Sequence, residues 1–362
     1  MTLEELRQRL SEVDRDLVAL IAQRQRIVAE VGAHKIENAV PTRDYEREKE
    51  VIKGARERAL DLGVDPDTIE QVMQLLIRSS LTQQEQTRVA AATGGAGKRV
   101  LIIGGAGKMG GWFAEFLGSQ DYAVEIADPS ESPMPFPRIA DWRGSELDQD
   151  IIIVATPIKT TGDVLAGLAD RRPRGLIMDI GSLKSPLREG LASLSAVGCR
   201  VTSIHPMFGP DTRLLSGRHV IFIDVGAPEA TAEARALFAA TMAEQIEMSL
   251  EDHDRLIAFV LGLSHALNIV FFTALAGSGE LVPRLMRLSS TTFDAQMQVA
   301  ALVARDNPYL YFDIQTLNDY GHTALEALSD ATSRLRTLVE AKDEAGFVEL
   351  MQAGRRYLES RR

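Results

Sequence analysis

From Leu3 onward the apolar residues fall at Leu6, Leu10, Val13, Leu17, Leu20, Ile27 and Val31, mostly at intervals of three and four. That spacing predicts one long helix with a single apolar stripe, with neither Gly nor Pro before Gly32. Arg24 interrupts the stripe four residues after Leu20. A guanidinium facing a helical core either snorkels outward or meets an anion, and Arg7 and Lys35 near the same stripe argue for the anion. Pro41 breaks the pattern. A second helix is predicted from about Asp44 to Leu62, ended by Gly63, with Arg47 and Glu48 in its first turns. A third starts near Pro66, since proline suits the first helical turn, and runs to about Arg88. On it Ser79 and Gln83 are i,i+4 neighbours sharing a face. The three helices predict a small bundle built around a polar ligand.

The periodicity changes at Val100. A short apolar run, Val100 to Ile103, reads as a buried strand, and the glycines Gly105, Gly107 and Gly110 follow it. Next comes an amphipathic helix from Lys108 and Met109 to about Leu117, then a second apolar run, Ala123 to Ala127, ending in Asp128. In such a unit the first glycine allows a tight turn and the second lets backbone approach a pyrophosphate. The third brings helix close to strand, and the free N–H groups of the helix start receive the phosphates. Asp128 stands where an acid accepts ribose hydroxyls, and with Pro129 and Ser130 after it nothing basic is at hand for a 2′-phosphate, which favours NAD. GGAGK occurs twice, but neither copy has the Ser or Thr or the glycine spacing of a P-loop.

Strand-like DIIIVATPIK (Asp150 to Lys159) puts Thr156 and Pro157 at a strand end facing the cofactor. GLIMDIGSLKSPL and GCRVTSIHPMFGP repeat the strand and loop order. This alternation predicts a mostly parallel sheet with ligands at the carboxyl ends of its strands, where Ser182, Lys184 and His205 fall. From Ser249 the pattern turns helical. A long apolar helix carries His253 and His265, each a core histidine or a site neighbour, and three more helical stretches are expected to reach Arg361. The chain divides into residues 1–90, a glycine-rich linker at 91–98, a dinucleotide-binding part at 99–248 and a helical part at 249–362.

Bulk composition changes this picture little. The chain has 362 residues, 45% of them hydrophobic, and a net charge of −11, which suits several soluble domains and argues against nucleic acid. One cysteine, Cys199, excludes a disulfide and fits a reducing compartment. The charged N-terminus predicts no signal sequence, and no apolar run is expected to span a membrane. The expected location is cytoplasmic.

Residues 3 to 88 resemble the all-helical chorismate mutases. VPTRDYEREKE is similar to that family's P-x-R-D-x-x-R-E signature, and LIRSSLTQQ to the end of its third helix. The resemblance implies interlocked chains, with Arg7 supplied by the partner and Arg24, Lys35, Asp44, Arg47, Glu48, Ser79 and Gln83 from one chain. Arg7, Arg24 and Arg47 would clamp two carboxylates, Lys35 and Gln83 would donate to the breaking ether oxygen, and Glu48 would hold the ring hydroxyl. Such a rearrangement needs a compact substrate conformer and no metal.

SIHPMFGPD and its surroundings, from about Arg99 to the C-terminus, resemble the prephenate dehydrogenase family. The pairing with a mutase resembles the bifunctional chorismate mutase–prephenate dehydrogenases of tyrosine biosynthesis. It implies a three-helix mutase module, a Rossmann-like domain and a C-terminal all-helical dimerisation domain in a homodimer. His205 would take the proton of the substrate's 4-hydroxyl as hydride leaves C4 for NAD⁺. Ser182 would support His205, Lys184 would lie nearby, and His253 and His265 would neighbour the site.

The sequence departs from that family at one point. Where its members carry an arginine for the ring carboxylate, this chain has Asp294 or Leu302, while Arg284, Arg287 and Arg305 are out of register. An aspartate repels a dicarboxylate. Two alternatives follow: 4-amino-4-deoxyprephenate as the dehydrogenase substrate, its ring ammonium facing Asp294, or a non-catalytic, regulatory dehydrogenase half.

Overall fold

A computed structural model describes residues 1–131 and 133–360. Contacts divide the chain into two compact units, one of Met1–Thr156, Gly167–Ile180 and Leu194–Glu247, the other of Pro157–Ala166, Gly181–Ser193 and Met248–Arg362.

The first unit begins with α1 (Leu3–Glu37), α2 (Tyr45–Asp61) and α3 (Pro66–Ala91). A reciprocal Thr2 and Glu5 capping box starts α1, the Asp44 carboxylate caps α2, and Asp65 followed by Pro66 starts α3. Each satisfies orphan N–H groups of the first turn. At 1.5 Å per residue α1 is about 52 Å long, and Gly32 lies within its last turns, buried against Gln84 of α3. Helix α3 packs against both α1 and α2. The apolar stripe of α1 is not covered by its own chain: Leu6, Leu10, Val13, Leu17, Leu20, Ile27 and Val31 are all exposed. Two partner helices within one bundle cannot enclose a helix this long on every side.

The stretch at 91–98 is pinned down rather than loose. The Gly95 N–H donates to the Gln120 carbonyl at 3.1 Å, and the Lys98 carbonyl accepts from Ala123 N at 3.0 Å. Then follow β1 (Arg99–Ile103), α4 (Lys108–Gly118), β2 (Ala123–Ala127), β3 (Arg138–Ile139), β4 (Ile151–Val154), α5 (Ile158–Arg171), β5 (Leu176–Asp179), α6 (Arg188–Ala196), β6 (Val201–Pro206), β7 (His219–Ile223), α7 (Pro228–Ala236) and β8 (Glu244–Met248). The strands form one sheet in the order β3-β2-β1-β4-β5-β6-β7-β8. Pairing is parallel from β3 to β6 and antiparallel between β6 and β7. The runs VLII, IIIV and LIM within β1, β4 and β5 are apolar throughout, as strands covered on both faces must be. Their side chains meet Phe113, Leu117, Phe222 and Phe238 in the core.

The second unit is helical from α8 (Leu250–Ile257) through a π-helical segment (Ala258–Leu263) into α9 (Ser264–Gly277). After it come α10 (Val282–Met286), α11 (Thr291–Arg305), α12 (Pro308–Thr316), α13 (Gly321–Glu340) and α14 (Glu344–Glu359). Among the described residues five helices thus follow α9 where three stretches were expected, and the expected end at Arg361 lies outside them. Leu250–Gly277 departs from the expected absence of a long apolar run, by length and composition only. It is one continuous helix of 28 residues, long and apolar enough to cross a membrane, with a mean hydropathy of 2.0 in an 18-residue window that is 28% buried.

Candidate active sites

Within the bundle, α1 turns Arg24 toward α3. Its Nη1 donates to the Leu76 carbonyl at 3.1 Å and to Ser80 Oγ at 2.5 Å. Ser80, buried, is thus the serine beside Arg24, while Ser79 is exposed and accepts from Gln25 Nε2 at 2.8 Å. Lys35 reaches back to the turn before α2, its Nζ donating to the Thr42 carbonyl at 2.6 Å. Asp44 is occupied as the α2 cap, accepting from Arg47 N at 3.0 Å. Arg47 is exposed and pairs with Glu50 at 3.1 Å, and Arg7 is exposed beside Glu4. Glu48 is held by Arg43, a residue the sequence reading passed over, through Nε to Oε1 at 3.0 Å and Nη2 to Oε2 at 3.1 Å. Gln83 is partly buried on α3. One chain therefore brings Arg24, Lys35 and Glu48 inward on separate partners and leaves Arg7 and Arg47 at the surface.

At the glycine loop the sharp turn sits one residue earlier than the motif suggests. Gly104, not Gly105, has a positive φ of 85°. A Cβ on Gly110 would lie 2.3 Å from the Gly104 carbonyl oxygen, so the third glycine does permit close helix–strand approach. Gly107 caps α4 without a side chain, which leaves the helix start with Lys108 and Met109 suited to a pyrophosphate. Asp128, at the end of β2, accepts from Ala106 N at 3.1 Å and Ser130 N at 2.9 Å. The expectation that nothing basic stands here is corrected. Arg138, starting β3 beside β2, donates from Nη1 to the Asp128 carbonyl at 2.7 Å. The residues fit a dinucleotide, with the Asp128 carboxylate next to the glycine loop. Thr156 ends this stretch after β4, and His205, buried, is the penultimate residue of β6 opposite Ile221.

A cleft of about 720 Å³ in the same unit lies beside α3 and α4, lined by Glu85, Trp112, Phe116, Asp211 and Arg213 among others. It contains none of the expected site residues.

In the second unit, Pro157 precedes α5, and the segment after β5 carries Ser182 and the wholly buried Lys184. What fixes that segment is Asp254, which the sequence reading missed. Its carboxylate accepts from Lys184 N at 2.9 and 3.0 Å, from Ser185 N at 2.5 Å, from Ser185 Oγ, and from His253 Nδ1 at 2.6 Å. Burial pushes the Asp254 pKa up, but the bonds from His253, Ser185 and Lys184 outweigh it and leave the group below the usual aspartate range. His253 is therefore anchored by its neighbour on α8, with the ring proton on Nδ1. His265 packs against Tyr311 with ring centroids 4.2 Å apart and the rings tilted by 35°. Burial lowers its pKa, and its Nδ1 has no hydrogen-bond partner among the described residues. Asp294 lies in the first turn of α11, where the helix dipole favours an acid, and it accepts the Ser289 hydroxyl.

Comparison with known proteins completes the picture. Residues 6–85 match the family described as chorismate mutase type II. Residues 141–246 match the nucleotide-binding domain of prephenate dehydrogenase, and residues 249–353 its dimerization domain. The glycine loop lies outside the matched stretches. The T-protein of Enterobacter agglomerans is 29% identical over 347 residues, covering 95% of this chain and 89% of the relative. That of Haemophilus influenzae is 26% identical over 352 residues, covering 96% and 90%. The prephenate dehydrogenase of A. aeolicus, solved with hydroxyphenyl propionate and NAD⁺, has a TM-score of 0.55 at 19% identity, covering 72% of this chain and 98% of that one. The chain belongs with the bifunctional chorismate mutase–prephenate dehydrogenases: a mutase and an NAD-dependent dehydrogenase of tyrosine biosynthesis in one polypeptide.

Proposed function

We propose that this chain rearranges chorismate to prephenate in the helical bundle of residues 1–90 and oxidatively decarboxylates prephenate to 4-hydroxyphenylpyruvate with residues 99–362. In the mutase, Arg24, Arg47 and a second copy's Arg7 clamp the carboxylates. Lys35 and Gln83 donate to the ether oxygen, and Glu48 takes the ring hydroxyl. Ser79 and the α2 cap Asp44 complete the set. Charge-assisted bonds of this kind hold the diaxial conformer and favour the polarised transition state over the ground state. The observation that carries the reading is Arg24, an inward-turned cation on an otherwise apolar stripe.

In the dehydrogenase, bound NAD⁺ supplies the hydride acceptor. His205 accepts the 4-hydroxyl proton as the C4 hydride departs, which leaves a carbonyl at C4. Loss of the ring carboxylate as CO₂ returns the electron pair to the ring, and the proton on His205 completes the phenol. Ser182 and Lys184 orient substrate from the segment that Asp254 anchors, with His253 and His265 neighbouring the site. Gly105, Gly107, Lys108, Met109, Gly110, Asp128, Thr156 and Pro157 serve the cofactor.

The Ser289 contact and helix-start position of Asp294 account for that acid without a ring ammonium, so prephenate is preferred to its 4-amino analogue. A second copy of the chain covers the exposed α1 stripe and the outward apolar residues of the long helix, including Phe259, Leu267 and Val270. A homodimer, rather than a lipid bilayer, then accounts for the apolar helix Leu250–Gly277. The test is Arg24→Ala in the full chain. Consumption of chorismate should fall about 10²- to 10³-fold, as expected for a lost transition-state donor, while NADH formation from supplied prephenate persists. Joint loss of both would contradict separate sites.

A further inference from the structure

The loop between β6 and β7, Met207 to Arg218, begins two residues after His205 and belongs to the dehydrogenase part of the sequence. Near its end it touches the mutase bundle twice. Arg43 holds Glu48 through two parallel bonds and spends its remaining Nη1 on Ser216 Oγ at 2.7 Å. One residue earlier, Leu215 N donates to Glu85 Oε2 at 2.7 Å, and Met242 N donates to the other oxygen at 2.5 Å. Glu85 is buried, and it lies two residues beyond Gln83 on α3. The middle of the loop is fixed elsewhere. Trp112 of α4 donates from Nε1 to the Thr212 carbonyl at 2.9 Å and packs against Phe208 with ring centroids 5.0 Å apart.

A carboxylate on a surface helix samples several rotamers unless something pins it. Here Arg43 matches both Glu48 oxygens with its planar fork. The fork is itself held at its third corner by Ser216, and the Tyr45 ring lies 4.3 Å from the guanidinium. A carboxylate gripped at two lone pairs keeps others free for a ligand. We infer that Arg43 is a positioning residue of the mutase and that Ser216, contributed by the dehydrogenase domain, sets it. The mutase site is thereby completed by its fusion partner, and the Met207 to Arg218 loop joins the orientation of Glu48 to the strand that carries His205. The inference rests on Glu48 as a substrate-binding group.

The test uses the full-length protein and follows chorismate consumption and prephenate-dependent NADH formation separately. Ser216→Ala should lower mutase kcat/KM about threefold to tenfold, about what one ordinary net hydrogen bond contributes. The loss should fall chiefly on kcat, and Ser216→Thr should restore it. NADH formation from prephenate should stay at the wild-type rate. Arg43→Lys, which cannot form the fork, should lower mutase activity further, and adding Ser216→Ala to it should cost little more. Wild-type mutase activity in Ser216→Ala and Arg43→Lys, with Glu48→Gln inactive, would overturn the inference and spare the reading of Glu48. An active Glu48→Gln would overturn both. Equal loss of the two activities in Ser216→Ala would mark that serine as structural and also overturn the inference.

Discussion

Replacing Asp254 by Asn keeps its size and removes its charge. In the native chain both carboxylate oxygens face donors only: Lys184 N and His253 Nδ1 at one, Ser185 N and Oγ and again Lys184 N at the other. An amide turned with its NH₂ toward Ser185 N leaves that N–H without an acceptor, and turned the other way it forces the His253 ring to give up its Nδ1 proton and accept. Each orphaned donor costs about 1–3 kcal/mol, and breaking a buried charged network typically costs about 3–5 kcal/mol in all. With a urea slope of about 2–3 kcal/mol/M, the unfolding midpoint of the helical unit should drop by roughly 1–2 M. The segment bearing Ser182 and Lys184 loses its anchor, so kcat/KM for prephenate should fall about 10- to 100-fold, with chorismate consumption untouched. The pH dependence carries a sign. The Asp254 pKa is depressed on folding, so its stabilisation is present above the unfolded aspartate value of about 3.9 and is lost as pH falls through the lower folded value. The Asn variant should lack that acid limb. A midpoint within about 0.2 M of wild type, with normal prephenate turnover, would refute the reasoning.

Other perturbations give different signatures. Burial raises the Glu85 pKa, and the Leu215 and Met242 N–H groups offset only part of that. Stability should therefore fall as pH rises from the ordinary glutamate range, near about 4.3, to the raised folded value and then level off; Glu85→Gln should abolish this slope in urea titrations. Gly110→Ala forces a Cβ to within 2.3 Å of the Gly104 oxygen. Overpacking there should raise the KM for NAD⁺ by about tenfold or more while sparing the mutase, and an unchanged KM would remove Gly110 from the cofactor site. Leu17→Glu, on the exposed α1 stripe, should convert a dimer to monomer in sedimentation and abolish mutase activity. A fully active monomer would show that Arg7 is not supplied in trans.

Much of this architecture was legible because the signals are local. The glycine loop, the cap at Asp44 with its following helix, and the apolar strands all lie within a few residues of the feature that identifies them. The register was less secure. The positive φ falls on Gly104, because the turn leaves β1 immediately, and Ser80, which nothing in the periodicity singles out, bonds Arg24. Non-local contacts were invisible. Arg43 meets Ser216 across 173 positions, Arg138 returns to Asp128 only once β3 pairs with β2, and Asp254 reads as an ordinary polar neighbour of His253. The apolar stripe of α1 was read as the seam of a packed helix, yet its residues are exposed, because periodicity marks an apolar face and not what covers it.

The most direct test of two successive sites in one chain supplies purified protein with NAD⁺ and chorismate alone and follows NADH formation. The account predicts a lag while prephenate accumulates, no lag when prephenate is supplied, and NADH formation abolished in His205→Asn although chorismate is still consumed. Arg24→Ala should give the mirror result, silent with chorismate and active with prephenate. No NADH from prephenate in wild-type protein, with turnover of the 4-amino analogue or of neither, would contradict the account.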